Sequence, residues 1–299
     1  MSLRGGLILA FSKANSLLRR CFAVAYRFTA YLLIWCLPAR LWYPIVLFLA
    51  RVQGQILSWL APLGLYPYRR DVYSWQARKK ILTSRVLDIW LRQLSASRRP
   101  FPIPVRAVNG DEVRELARGG IGMVLCSVHS LLADTALRAI AELDLGELAI
   151  ITSLPDWTEG QPVIGTERTI ATIYTDENVL LKTRKVLRGG GSIIILLDRI
   201  IGGPLEAHIL HLARALGARA GFGVAELQPN GEILLECVLS PASARDDADS
   251  VQRFLKALGA HRSQVLHLAP NKSDLSIDLR KHPVSPTANV MSSPPSSAN

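Results

Sequence analysis

The sequence predicts an α/β protein: a mixed, mostly parallel sheet with flanking helices, preceded by an N-terminal membrane-associating helical region. Three observations carry that reading. Beyond residue 107, apolar runs of strand length alternate with segments of helical period. Turn signals, Gly189-Gly190-Gly191 and Asn230-Gly231, punctuate the alternation. And the front of the chain is basic and apolar at once: residues 1–106 hold 17 Lys and Arg against two acids, Asp71 and Asp88, whereas the remainder holds 18 against 22. The net charge of +11 therefore comes entirely from the front third. Nucleic-acid binding accounts for basic charge but not for the Leu, Trp and Phe around it, so no nucleic-acid partner is expected; anionic membrane lipids are. The expected division is a basic apolar helical region over 1–106, an α/β domain over 107–282 and a disordered Ser/Pro/Asn-rich tail over 283–299.

Taken in order, MSLRGGLILAF has a charge and a short apolar run, but Lys13, Arg19 and Arg20 interrupt and no small-residue cleavage site follows; no cleaved leader is read. An apolar helical stretch over 17–37, broken by Arg20 and Arg27, ends at Pro38. A second runs from Pro44 to about Leu60, with Arg51, Gln55 and Ser58 as a narrow polar stripe. Trp35, Trp42 and Trp59 near the ends suit the membrane interface; a single N-terminal span is the competing reading. Ile81, Leu82, Val86, Ile89, Trp90 and Leu94 make a helical packing stripe, and Pro100, Pro102 and Pro104 a linker. A short helix over Val108–Arg118, capped by Asn109 or Asp111, precedes the first strand, Met123–Cys126. Further strands are expected at Leu148–Thr152, Ile170–Tyr174, Ser192–Leu197, Ala220–Leu227 and Ile233–Leu239, with helices at Glu177–Leu187, Leu205–Leu216 and Asp249–Leu258.

The stretch Ile121–Leu143 carries the chemistry. It passes from strand to helix, with Leu132, Ala136, Ile140 and Leu143 on one stripe and Ser130 where an N-cap belongs. His129 stands at the joint and Asp134 five positions on. The carboxyl end of a strand is where α/β proteins place their chemistry. A neutral imidazole there takes a proton from a substrate hydroxyl near pH 7, and a carboxylate on its other nitrogen stabilises the imidazolium. By itself the spacing is weak; a strand-end histidine with a structural hydrogen bond fits it as well. Asp198 ends a later strand as His129 does, and either supports the same site or pairs with Arg199. Arg168, in the loop before a strand, meets an anionic substrate or oxyanion, or is a surface arginine. Gly189-Gly190-Gly191 precedes a strand and is a turn, not a phosphate loop. No G-x-S-x-G elbow is present, which disfavours an ordinary hydrolase; an esterase using Ser127 or Ser130 stays as a third reading. Cys21, Cys36, Cys126 and Cys237 form no C-x-x-C pair, so neither a disulfide framework nor a metal site is expected, and the globular part is placed on the reducing, cytosolic side.

In order, a basic apolar front, a strand, His129-Ser130-Leu131-Leu132-Ala133-Asp134, then Leu187-Arg188-Gly189-Gly190 before a strand closing on Asp198, the chain resembles the bacterial lipid A lauroyl/myristoyl acyltransferases of the glycerolipid-type His-x4-Asp/Glu superfamily, over about residues 20–260. The resemblance implies a monomeric inner-membrane enzyme on the cytoplasmic face, peripheral or singly anchored. It moves a fatty acyl group from acyl-carrier protein or acyl-CoA to a (glyco)lipid hydroxyl, without cofactor or metal. His129 is then the general base and Asp134 its partner; Asp198, Arg168, Arg199 and Ser130 are the expected substrate-side residues. After Asp198 the chain reads Arg199-Ile200-Ile201-Gly202-Gly203, where the family has a Pro-Asp-Gln-like stretch, and this leaves the acceptor open. The Phe-Pro-Glu-Gly-Thr stretch of lysophosphatidate acyltransferases is absent. A non-catalytic membrane-binding protein that keeps the fold is the alternative.

Overall fold

The computed structural model describes residues 24–60, 75–128, 131–152, 162–175, 178–197 and 208–240. The expected helix at Asp249–Leu258 and the tail lie outside them. Three helices come first: α1 over residues 24–36, α2 (Trp42–Leu60) and α3 (Trp75–Ser95). Then follow β1 (Val105–Val108), α4 (Gly110–Arg118), β2 (Met123–Ser127), α5 (Ala133–Ala141), β3 (Leu148–Thr152), β4 (Ala171–Tyr174), α6 (Val179–Arg188), β5 (Ser192–Leu196), α7 (His208–Ala215), β6 (Arg219–Leu227) and β7 (Ile233–Leu239).

The seven strands make one sheet in the order β1-β7-β6-β2-β5-β3-β4. Every neighbouring pair is parallel except β6–β7, the antiparallel hairpin that the Asn230-Gly231 signal predicts; Gly231 turns it at a φ of 95°. Strand β2 lies between β5 and β6 with Met123 to Cys126 all buried, which is why it reads as an unbroken apolar run. One face of the sheet packs on α6 and α7 through Val124, Ile193, Phe222 and Val224. The other carries Leu125, Ile150, Ile194 and Leu235, in one continuous core with α5, α3 and α2.

Helices α1 to α3 belong to that core. Tyr26 of α1 sets its ring edge-on to Trp90 of α3 at 4.7 Å and donates to Gln53 Oε1 of α2 at 2.6 Å. Helices α2 and α3 touch at Gly54, where a Cβ would stand 2.8 Å from the Thr83 nitrogen and 2.9 Å from its Cα. Of the expected polar stripe of α2, Ser58 is buried and Gln55 half-buried, while Arg51 stays exposed and donates to the Pro229 carbonyl at 2.7 Å, beside Tyr43, whose hydroxyl donates to the Gly231 carbonyl. The outward face is apolar instead. Phe48, Val52, Ile56 and Trp59 of α2, and Val24, Phe28, Tyr31, Leu32 and Trp35 of α1, are exposed at helical spacing. No described helix is long and apolar enough to cross a membrane.

Three local expectations need correcting. The Pro100–Pro104 linker is packed: Phe101 and Ile103 are buried between exposed prolines, Phe101 stacks on Trp42, and its N–H bonds the Gly165 carbonyl. It leads into β1, a strand the sequence reading lacked because it is four residues long, sits at an edge and follows prolines. And the N-cap of α5 is Leu132, not Ser130. Leu132 is fully buried at a φ of 63°, a conformation costly for a leucine side chain and held here by its burial.

Substituting Gly54→Leu should therefore drive α2 off α3 and lower unfolding free energy by about 1–3 kcal/mol or more. A denaturant titration checks this, with an unchanged midpoint as the contrary result.

Candidate active site

Strands β2 and β5 are in register, with Ser127 opposite Leu196 and the Leu197 N–H donating to the Ser127 carbonyl at 2.8 Å. From β2 the chain runs towards β3; from β5 it runs back across β2 to β6. Adjacent strands whose connections leave in opposite directions form a switch point, the crevice where open α/β sheets bind ligands. His129 and Ser130 follow β2, and Asp198 and Arg199 follow β5; all four lie outside the described residues.

Beneath this rim, between α5 and the sheet, is a cavity of about 230 Å³. Leu125, Ile150, Ile194 and Leu235 line its sheet side, and Ala136, Leu137 and Ile140 its helix side. Small residues hold the walls apart: Ala133 and Ala136 on α5, and Gly221, Gly223 and Ala225 at alternate positions of β6. A Cβ on Gly221 would come within 3.1 Å of Leu239 and 3.2 Å of Leu125. Among the described residues its only charged lining residues are Arg92 and Asp134, beside Ser127 at the rim end.

Asp134 sits in the first turn of α5, where a carboxylate complements the helix N-terminus. Its Oδ2 pairs with Arg92 Nη2 of α3 at 3.0 Å. Arg92 Nε also donates to Asp88 Oδ2 at 3.0 Å, one turn back on α3. Burial pushes the Asp88 carboxyl above its usual range; Arg92 pulls it down and Asp134 adds to the rise. Arg92 is held charged because the two carboxylates outweigh its own desolvation. Neither Asp88 nor Arg92 was singled out from the sequence, although Asp88 is one of only two acids in the front 106 residues and lies four positions before Arg92 on one helix face.

Arg168 is not brought to the rim. Its guanidinium donates to the Ala141 carbonyl at the far end of α5, where a cation complements the helix C-terminus. Ser127 is at the rim, but its hydroxyl donates to the Gly223 carbonyl at 2.7 Å and has no base beside it among the described residues. Cys237 lines the cavity with its thiol pushed up to about 12, chiefly by burial, so it stays protonated and non-nucleophilic. Among the described residues no group of three His, Cys, Asp or Glu side chains is placed to hold a metal. The site's resources are thus an apolar slot, a carboxylate at its mouth and a strand-end loop bearing an imidazole in sequence.

No protein-family model matches the chain, and no curated protein matches it.

Two probes follow from this chemistry. A serine-directed covalent reagent should leave Ser127 unlabelled. A thiol reagent should modify exposed Cys36 in the folded protein while Cys126 and Cys237, both buried, react only on unfolding. Peptide mapping by mass spectrometry reads both, and rapid labelling of Cys237 would contradict the cavity as described.

Proposed function

We propose that the chain is a membrane-associated O-acyltransferase, moving a fatty acyl group from acyl-carrier protein or acyl-CoA to a hydroxyl of a glycolipid acceptor of the lipid A kind, at the cytoplasmic face of the inner membrane. The observation that carries it is the apolar slot with its carboxylate mouth, opening where the His129 loop leaves the sheet. The motif order, His129 to Asp134 and then Leu187 to Asp198, supports the same reading. In the reaction, His129 removes the proton of the acceptor hydroxyl and the oxygen attacks the thioester carbonyl. The tetrahedral intermediate collapses, breaking the carbon–sulfur bond. The departing thiolate takes the proton back from the imidazolium, and the new ester leaves with the acceptor lipid. Asp134 offers the negative charge that stabilises the imidazolium in between. Asp198 and Arg199, two and three residues beyond β5, are the next candidates to face the acceptor. Transfer is direct, with no acyl-enzyme.

The slot suits the hydrocarbon tail of the donor. An apolar cavity of about 150 Å³ accepts benzene, so at the same volume per carbon this one takes roughly nine carbons. The basic, apolar front supplies the membrane contact. Exposed stripes on α1 and α2 match an amphipathic helix pair lying in the interface, with Trp35 and Trp59 more than half exposed and the exposed Arg27 and Arg40 available to anionic head groups.

Full-length protein in vesicles, incubated with labelled acyl thioester and lipid acceptor, should form acyl-lipid. His129→Ala should lower the rate by about 10²–10⁴-fold. Near-normal transfer by a folded, membrane-bound His129→Ala protein refutes the role. Gly221→Leu should shift the product towards chains shorter by two or more carbons, seen by mass spectrometry; an identical chain-length profile removes the slot from the mechanism.

Flotation with anionic vesicles tests the surface. Phe48→Glu with Ile56→Glu should weaken binding at least tenfold while leaving the unfolding temperature unchanged, since both side chains are more than half exposed. Undiminished flotation places the membrane contact elsewhere.

A further inference from the structure

Helix α3 reaches the mouth of the slot with two charges in series, Asp88 and Arg92, and the outer one is bonded to Asp134. Building on the acyl-transfer reading, we propose that Asp88 and Arg92 are positioning residues for Asp134: Arg92 aims the carboxylate, and Asp88 keeps that carboxylate's negative charge available to the site.

An arginine paired with Asp134 alone would neutralise it, and a neutral ion pair stabilises a neighbouring imidazolium poorly. Two carboxylates sharing one guanidinium leave a net charge of −1 at the mouth. Asp88 is well placed to take its share. Its side chain is 15 % exposed, against 27 % for Asp134, so its hold on Arg92 is less screened by water. Arg85 also acts on Asp88, but it is solvent-exposed on the same helix. No other charged side chain among the described residues lines the cavity.

Packing alone does not account for the arrangement. Asp88 Oδ1 is buried with no hydrogen-bond partner among the described residues, a cost that a leucine at this position would avoid. The carboxylate also stands in a region whose composition otherwise excludes acids. If Arg92 served only to tie α3 to α5, a neutral acceptor such as asparagine would serve at position 88.

That difference defines the test. Asp88→Asn preserves shape and an acceptor for Arg92 Nε and removes only the charge. Steady-state acyl transfer is measured with the full chain in vesicles, for Asp88→Asn, Asp134→Asn and the double variant. Asp88→Asn should lower kcat about tenfold or more with KM within about twofold of the parent, and its effect should fall below about twofold once Asp134 is Asn, because it acts through that residue. The unfolding temperature of Asp88→Asn should equal or exceed the parent's. Arg92→Lys should retain more kcat than Arg92→Met; if Arg92→Met does not fold, the Asp88 and Asp134 set decides alone. An unchanged kcat in Asp88→Asn, or the same loss in both backgrounds, overturns the inference. These results are separable from failure of the underlying function. If Asp134→Asn is itself silent, Asp134's part in the acyl-transfer reading falls and this inference with it, and absence of transfer by the parent chain defeats the reading itself. If Asp134→Asn is impaired and Asp88→Asn is not, only the inference falls.

Discussion

The gap between α5 and the sheet is the constraint on which the rest of the molecule depends. A βαβ unit ordinarily presses its helix directly onto the strands, and interiors are packed to leave few voids larger than a water molecule. Here about 230 Å³ is left open under α5. At about 24 cal/mol per Å³, a sealed, dry void of that size would cost about 5–6 kcal/mol, comparable to the whole stability of a small domain. Glycine and alanine on β6, facing alanines on the first turns of α5, keep it open where a leucine or valine would close it. A space maintained against that penalty, greasy along its length and charged only at its mouth, is what an amphiphile with a polar head and a hydrocarbon tail requires.

The mouth draws on several parts of the chain. Ser127 comes from the end of β2, Asp134 from the first turn of α5 and Arg92 from α3. The first two follow from strand-to-helix topology, which leaves a strand's carboxyl end and a helix's amino end side by side. The third is particular to this chain. Because α3 packs along α2, and α2 turns an apolar stripe outward, the charged mouth is connected through close-packed helices to the exposed apolar surface of α1 and α2. On the proposed acyl-transfer reading, a water-soluble donor and a membrane-embedded acceptor would have to meet at one point, and a site coupled to the exposed apolar helices satisfies that requirement.

Much of this architecture is written plainly in the residues. Strands β3 and β7 match their expected limits, and β2, β5 and β6 differ by one residue, because β2, β3 and β5 are apolar runs of a parallel sheet and β6 and β7 flank a strong hairpin turn. The hairpin at Asn230-Gly231 needed only local turn chemistry. What escaped depended on contacts distant in sequence. Strand β1 is a strand only because reversed β7 offers it a parallel edge. The start of α5 shifted from Ser130 to Leu132 because a buried leucine in the left-handed region outcompeted a local capping preference. Gly221 and Gly223, which weaken a strand pattern when read locally, become the walls of a cavity only when α5 is laid over them. Arg168 read as either an anion contact or a surface arginine, and its guanidinium donates to a helix-end carbonyl that local sequence does not reveal. Asp88 and Arg92 fell within a packing stripe; the acid's isolation in a basic region was the available clue.

The continuous core also bears on how this protein can be handled. Trp90, Leu91 and Leu94 of α3, and Trp42 and Val46 of α2, share one hydrophobic cluster with Leu125 and Ile150 of the sheet. Cutting the apolar front away to obtain a shorter fragment would uncover the part of this core that α2 and α3 close, leaving only α4 and α5 on it, and would remove Arg92 as well. The piece left behind would be sticky and unable to hold Asp134 in place. Purification of the intact polypeptide is the natural course, because the helices that carry the exposed apolar stripes share one core with the sheet beside the cavity.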